Sequence, residues 1–370
     1  MHVGIPKATR SGETRVATVP DSLAKLKRLE LDVHIETGAG LASGFDDDAF
    51  RGKGAEVQDS ITDCDLLIAV HPPAPETLRK GQVLVSMMDP LGDPAGVQAL
   101  ADSGVTAYAL EFVPRISRAQ TMDVLSSMAN IAGYKAVLMA AARSPKLFPL
   151  MMTAAGTVRP SKVFVLGAGV AGLQAIATAR RLGAVVEAYD IRSDTKEQVE
   201  SLGARFVEFD LGIGDMQDSG GYAQELTDEQ KALQAKLMAQ VIQAADAVIT
   251  TAQVPGRRAP LLIPEDVVRG MKKGAVVVDM AAESGGNCAL SKPGEEVDVN
   301  GVTLLGPRNI PATLGATSSQ LYAANLIAFL GELLKDGQIN ADADDEILGA
   351  CLVCKDGQVT NERVLEALQR

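Results

Sequence analysis

The sequence predicts an α/β protein made of two doubly wound, parallel-sheet domains with a cleft between them. Three observations point there. Short aliphatic runs alternate with helical stretches through the first third of the 370 residues. A second series of the same kind begins near Pro160, where an apolar run enters a glycine-patterned turn. Two long apolar helical stretches, at 122–139 and 318–334, separate the two series and follow the second.

In chain order, residues 3–6 read as the first strand and 20–29 as a helix, with Asp21 or Ser22 near its start. Residues 33–37 form a second strand, and Gly38 and Gly40 turn the chain. The runs 66–70, 83–87 and 105–110 have strand length, with a short helix at 92–103. Alternation of this kind buries a parallel sheet between helices on both faces. Residues 122–139 carry apolar side chains on more than one face and include Gly133, the character of a helix buried by two domains. Strands at 247–251, 275–280 and 302–305 continue the second series, and the helix at 318–334 leads the chain back. The expected division is a discontinuous outer domain, 1–128 plus 316–370, with 129–315 inserted as the second domain.

Composition narrows the function classes. The formal charge of -12 argues against a nucleic-acid partner. No uninterrupted apolar run reaches the ~20 residues that span a bilayer, and the polar start Met1-His2-Val3-Gly4 is no signal peptide. A soluble, cytoplasmic protein without direct membrane insertion is expected. Cys351-Leu-Val-Cys354 has redox or half-zinc spacing, but no second pair and no nearby His. Buried thiols in a strand are the expected reading, and His2, His34 and His71 form no metal constellation.

Chemistry concentrates first at Val163-Phe-Val-Leu-Gly167-Ala-Gly169-Val-Ala-Gly172-Leu173. An apolar strand runs into Gly-x-Gly-x-x-Gly, then a helix, then a second strand at 185–188 followed by Asp190. Gly167 permits the turn, Gly169 admits a pyrophosphate to the backbone, and Gly172 packs the helix on the strand. The helix N-terminus supplies free N–H groups. Asp190 stands where a carboxylate accepts both ribose hydroxyls of NAD and repels the 2′-phosphate of NADP. The inserted domain therefore reads as a Rossmann dinucleotide site specific for NAD(H), with Arg192 as the one residue nearby that could receive a 2′-phosphate.

A second constellation precedes the long helix: Arg115-Ile-Ser-Arg-Ala-Gln120-Thr-Met-Asp123-Val-Leu-Ser126. Gln120, Asp123 and Ser126 are three apart and share a helical face. Two readings stand, a capping cluster beside a solvated arginine or a polar cradle for a nicotinamide carboxamide. Likewise Tyr222, in a loop with Gly212, Gly214, Gly220 and Gly221, is either part of a surface connection or a lid that lays a ring on a cofactor. The outer domain lacks a His pair suited to protonating a keto or imino acid. Hydride passing between two nicotinamides needs no such acid, only close approach, orientation and exclusion of water.

At this point the sequence resembles a known family. Pro114-Arg-Ile-Ser-Arg-Ala-Gln-Thr-Met-Asp-Val-Leu-Ser-Ser127 is similar to the signature loop of the proton-translocating nicotinamide nucleotide transhydrogenases. So are Met151-Met-Thr-Ala-Ala-Gly-Thr157, the stretches 169–178 and 195–203, and Glu283-Ser-Gly-Gly-Asn-Cys288. The resemblance covers nearly the whole chain and is to the NAD(H)-binding component, the soluble domain of the alpha subunit. It implies a homodimer that passes hydride between NAD(H) and NADP(H) held on a partner subunit. A membrane-spanning partner would couple the transfer to proton movement and hold the protein at the inner face of the membrane. It further implies that Arg115, Asp123 and Ser126 hold the nicotinamide, Gln120 reaches toward the partner's cofactor, and Tyr222 closes over the nucleotide. Many alpha subunits continue into transmembrane helices, whereas this sequence stops at Arg370, as in the arrangement where the component is a separate polypeptide.

The nearest rival is alanine dehydrogenase, similar in Gly4-Ile-Pro6-Lys7 and Glu36-Thr-Gly-Ala-Gly40. That enzyme has a catalytic Lys after the third strand and a His after the fourth. Here His71 stands about where the lysine would, and Met87 or Met88 where the histidine would. A further alternative is an NAD(H) sensor without turnover.

Overall fold

The computed structural model describes residues 1–210, 227–254, 256–340 and 344–369. The chain forms two compact units, residues 1–131 with 311–370 and residues 132–310. The first junction falls inside the helix Val124–Arg143, and the second just ahead of the helix Gly315–Leu333.

Six strands open the first unit: β1 His2–Ile5, β2 Asp32–Glu36, β3 Glu56–Gln58, β4 Leu66–Ile68, β5 Val83–Ser86 and β6 Thr106–Ala109. The second unit contributes β7 Lys162–Leu166, β8 Val185–Tyr189, β9 Arg205–Phe206, β10 Ala247–Thr250, β11 Val276–Asp279, β12 Glu296–Val299 and β13 Val302–Leu305. Near the end of the chain, β14 Leu352–Lys355 and β15 Gln358–Val359 return to the first sheet.

The first sheet runs β15-β14-β6-β5-β4-β1-β2-β3 and the second β9-β8-β7-β10-β11-β13-β12. Both are parallel through the middle and antiparallel at one edge. There β14 pairs antiparallel with β6 and β15, and β12 with β13. The sequence reading missed these edges, because β12 alternates polar and apolar residues and has no aliphatic run. In each sheet the strand order reverses once, between β1 and β4 and between β7 and β10. The carboxyl ends of strands at such a reversal leave a crevice for a ligand.

Burial explains why the central strands are parallel. In β7, Val163 and Val165 join one core while Phe164 and Leu166 join the other, so both faces are covered. The same alternation recurs in β10 and β11, where Ile249 and Val278 face one side and Val248 and Val277 the other. The first sheet has its own core, crossed by the buried Tyr108, Tyr322 and Phe329.

The helix expected at 122–139 begins later and runs further, Val124–Arg143, because Ser117–Met122 forms a separate 3-10 helix and Asp123 caps the longer one. Among the described helices it is the one with the length and hydropathy to cross a membrane. Its buried residues Val124, Met128 and Ile131 belong to the first core and Ala136, Val137 and Ala140 to a core of the second unit, as in a core helix. Gly133 is required in it: a Cβ there would come within 2.1 Å of the carbonyl oxygen of Ala171. Cys351 closes the helix Glu346–Cys351 and only Cys354 lies in a strand; both are buried, and burial pushes both thiols up.

Candidate functional site

The glycine turn follows β7 directly, and each glycine in it answers a different constraint. Gly167 has φ +99°, and a Cβ there would lie 2.4 Å from the Thr251 hydroxyl. Gly172 has no room at all, since its Cβ would sit 1.8 Å from the carbonyl oxygen of Gly167. Gly169 is the opposite case. It is the N-cap of the helix Val170–Arg181 with extended backbone, and its Cβ would meet only the Arg192 Nη2 at 3.9 Å. The side of the turn that Gly169 presents is thus an open cradle, and the first N–H groups of the helix have no intrahelical acceptor. These residues fit the pyrophosphate of a dinucleotide.

Asp190 follows β8 and closes this turn. Its Oδ2 accepts from the Ala168 N–H at 2.7 Å, and its Oδ1 from the Arg192 N–H at 2.9 Å. The Arg192 guanidinium adds Nε to Oδ1 at 2.9 Å and Nη2 to Oδ2 at 3.0 Å. Burial pushes this carboxyl up, but Arg192 and the two backbone N–H groups outweigh it and hold the pKa below the usual aspartate value. Asp190 is therefore ionised at neutral pH, as a ribose acceptor must be. The expectation that Asp190 would meet a 2′-phosphate before Arg192 could compensate is corrected by this geometry, because the pair is already formed.

Two further residues support the turn and escaped the sequence reading. Thr251, after β10, donates its hydroxyl to the carbonyls of Leu166 and Gly167. Asp279, fully buried at the end of β11, accepts from the Thr250 hydroxyl and from the N–H groups of Ala281, Asn287 and Cys288. It also accepts from the Ser291 hydroxyl. That web fixes the loop Glu283-Ser-Gly-Gly-Asn-Cys288, while Asn287 donates onward to the carbonyls of Ala252 and Pro260. The signal was legible as an acid ending the run Val-Val-Val-Asp.

In the first unit, Asp123 Oδ1 accepts from the Ser126 N–H at 2.8 Å and Oδ2 from the Ser126 hydroxyl at 2.5 Å. These two residues do meet, as an N-cap. Gln120 does not join them on a helical face, because it belongs to the preceding 3-10 helix and is exposed. Arg115 is exposed as well and makes no ion pair among the described residues. Arg118 anchors the loop instead, with salt bridges to Glu332 at 3.0 Å and Asp345 at 2.7 Å. Tyr222 and the glycines around it lie outside the described residues.

A cavity of about 390 Å³ lies at the carboxyl ends of β1 and β4, lined in part by Lys7, Arg10, Arg15 and His71. Glu13, fully buried, holds Arg15 at 2.6 Å and His71 at 3.0 Å. Burial pushes Glu13 up, yet Arg15 and His71 keep it well below the usual carboxylate range. Met88, where a catalytic histidine would be needed, is buried in the cavity wall. Among the described residues no cluster of His, Cys, Asp and Glu could hold a metal ion.

Two family descriptions match this chain, the alanine dehydrogenase/PNT N-terminal domain over residues 4–132 and the C-terminal domain over 136–362. The chain belongs to the alanine dehydrogenase/PNT family. Within that family it is 43% identical to the first of the separately encoded pieces of NAD(P) transhydrogenase subunit alpha in Rhodospirillum rubrum, covering 98% of each chain. It is 30% identical to the alanine dehydrogenase of Bacillus subtilis, over 100% of this chain and 95% of that one. The solved transhydrogenase from Sinorhizobium meliloti is 41% identical and superimposes with a TM-score of 0.86 over 98% of this chain and 99% of that one. Family membership makes the two sheets, with their parallel middles and helical covers, an inherited architecture.

Proposed function

We propose that this chain is the NAD(H)-binding component of a proton-translocating NAD(P) transhydrogenase. The observation that carries the reading is the open glycine cradle beside an ionised Asp190, in a chain similar along its whole length to an NAD(P) transhydrogenase alpha subunit. Bound NADH supplies the hydride, which passes to NADP⁺ held on a partner subunit; the reverse transfer is equally allowed. The helix Val170–Arg181 would receive the pyrophosphate at its N-terminus, and Asp190 would accept the adenosine ribose hydroxyls. Arg115, Asp123 and Ser126 would hold the nicotinamide end, with Gln120 directed toward the partner's cofactor and Tyr222 closing the site. No general acid is required of these residues, since hydride transfer between two nicotinamides moves no separate proton. Their work is to align the rings and keep water away. In this reading the protein is a homodimer, with NADP(H)-binding and membrane-spanning subunits as partners. It sits at the inner face of the membrane through them.

The test is hydride exchange between NADPH and an oxidised NAD analogue, using this protein with an NADP(H)-binding domain of a transhydrogenase. Turnover that requires both proteins supports the reading, and its absence with intact NADH binding counts against it. The cavity around Arg15 and His71 favours a second reading, a 2-oxo acid site of the alanine dehydrogenase type. Against it, Glu13 already neutralises Arg15 and Met88 offers no proton. NADH oxidation by pyruvate with ammonia would establish that alternative.

A further inference from the structure

Arg192 does more at the adenosine end than stand near it. Its backbone is fixed by the 3-10 turn Ser193–Thr195, whose Thr195 N–H and hydroxyl both donate to the Arg192 carbonyl. From there the guanidinium folds back on a residue only two positions earlier. It forms a two-pronged pair with both oxygens of Asp190. The Asp190 side chain is 6% exposed and that of Arg192 58%, so the guanidinium is the outer cover of the carboxylate. Its Nη2 also reaches over the turn toward Gly169. A ribose diol must donate two O–H groups to these same oxygens, which already accept from two backbone N–H groups and two guanidinium N–H groups.

We propose that Arg192 is a specificity-determining residue: its guanidinium occupies the place of the ribose diol and yields to groups that can donate in its stead. The inference rests on the NAD(H) reading above. A 2′,3′-diol brings hydroxyl donors and replaces the guanidinium donor for donor. A 2′-phosphate brings acceptors only, and it faces a carboxylate whose paired counter-charge it would have to pull away. Discrimination against NADP(H) then depends on the pair, not on Asp190 alone. With the carboxylate charge removed, the same guanidinium is released and becomes a ligand for the 2′-phosphate.

The experiment measures NADH and NADPH dissociation constants by nucleotide fluorescence for the full chain and three variants: Asp190→Asn, Arg192→Ala and the double substitution. Asp190→Asn keeps an acceptor for the backbone N–H groups, and Arg192 is exposed enough for its truncation to leave the fold intact. Asp190→Asn should tighten NADPH about tenfold or more, and the added Arg192→Ala should abolish that gain, each tenfold step being about 1.4 kcal/mol. Arg192→Ala alone should widen the preference for NADH, by tighter NADH, weaker NADPH or both. Equal NADPH affinities with and without Arg192 in the Asp190→Asn background would overturn the inference while leaving NAD(H) binding intact. A wild-type chain that binds neither nucleotide would overturn the reading and the inference together.

Discussion

The glycine turn after β7 and the polar loop before the helix Val124–Arg143 meet solvent in different ways. The turn is a backbone object. Its shape is dictated by contacts too close for any Cβ at Gly172 and Gly167, and its acid is buried and held by four N–H groups. The loop is a side-chain object. Arg115 and Gln120 are exposed, and the fold leans only on Asp123, Ser126 and the anchor Arg118. A region that grips an invariant phosphate and ribose gains from rigidity. A region that must orient a reacting ring against a second protein needs side chains still free to make contacts.

This contrast is sharpest in substitutions that act on stability in one region and on chemistry in the other. Gly172→Ala should cost about 4 kcal/mol or more, because the new methyl meets a fixed carbonyl that cannot retreat without opening the strand–helix turn. A thermal unfolding temperature unchanged from wild type would break the backbone account. Behind the loop, Glu111 accepts from the N–H groups of Met88 and Asp89 through Oε1, while its buried Oε2 has no partner among the described residues. Burial pushes this carboxyl up to about 7 from the ordinary 4.5. A folded pKa raised in this way favours the protonated form. Its contribution to stability is full below about pH 4.5 and is lost as pH rises through 7, at most about 3 kcal/mol. Glu111→Gln should flatten that part of the stability–pH curve in denaturant titrations. A curve superimposable on wild type would show that Glu111 is relieved by some other contact.

Gln120→Asn should leave the unfolding temperature alone and slow hydride transfer on the order of a hundredfold, with NADH affinity little changed. Comparable losses in rate and affinity would remove the role proposed for Gln120. The smallest effect is expected at Asp123→Ala, about 1 kcal/mol for a lost helix cap, read from the denaturation midpoint. If Asp123 also holds the nicotinamide, NADH binding will weaken by more than the stability change accounts for.

The fold was legible where one signal dominates. Aliphatic runs such as Val163–Leu166 and 276–278 can only be strands buried on both faces, and Gly-x-Gly-x-x-Gly after such a run leaves little freedom. The edge strands were not legible, because β12 and β15 owe their form to a neighbour and not to their own composition. The shared helical face expected of Gln120, Asp123 and Ser126 failed for a related reason: capping by Asp123 starts the helix afresh, so the 3.6-residue period does not extend back to Gln120.

By itself, the sequence determined the alternation of strands and helices, the glycine turn and the acid at the end of the second strand. Each follows from local periodicity or from a backbone conformation open only to glycine. Tertiary structure alone decided which charges meet. Glu13 pairs with Arg15 and reaches His71 across 58 residues of chain, Arg118 finds Glu332 and Asp345 far along the chain, and the guanidinium of Arg192 turns inward to Asp190 instead of out to solvent. Such pairings depend on distances of a few ångströms set by packing, and charge attraction carries no sequence period from which to read them.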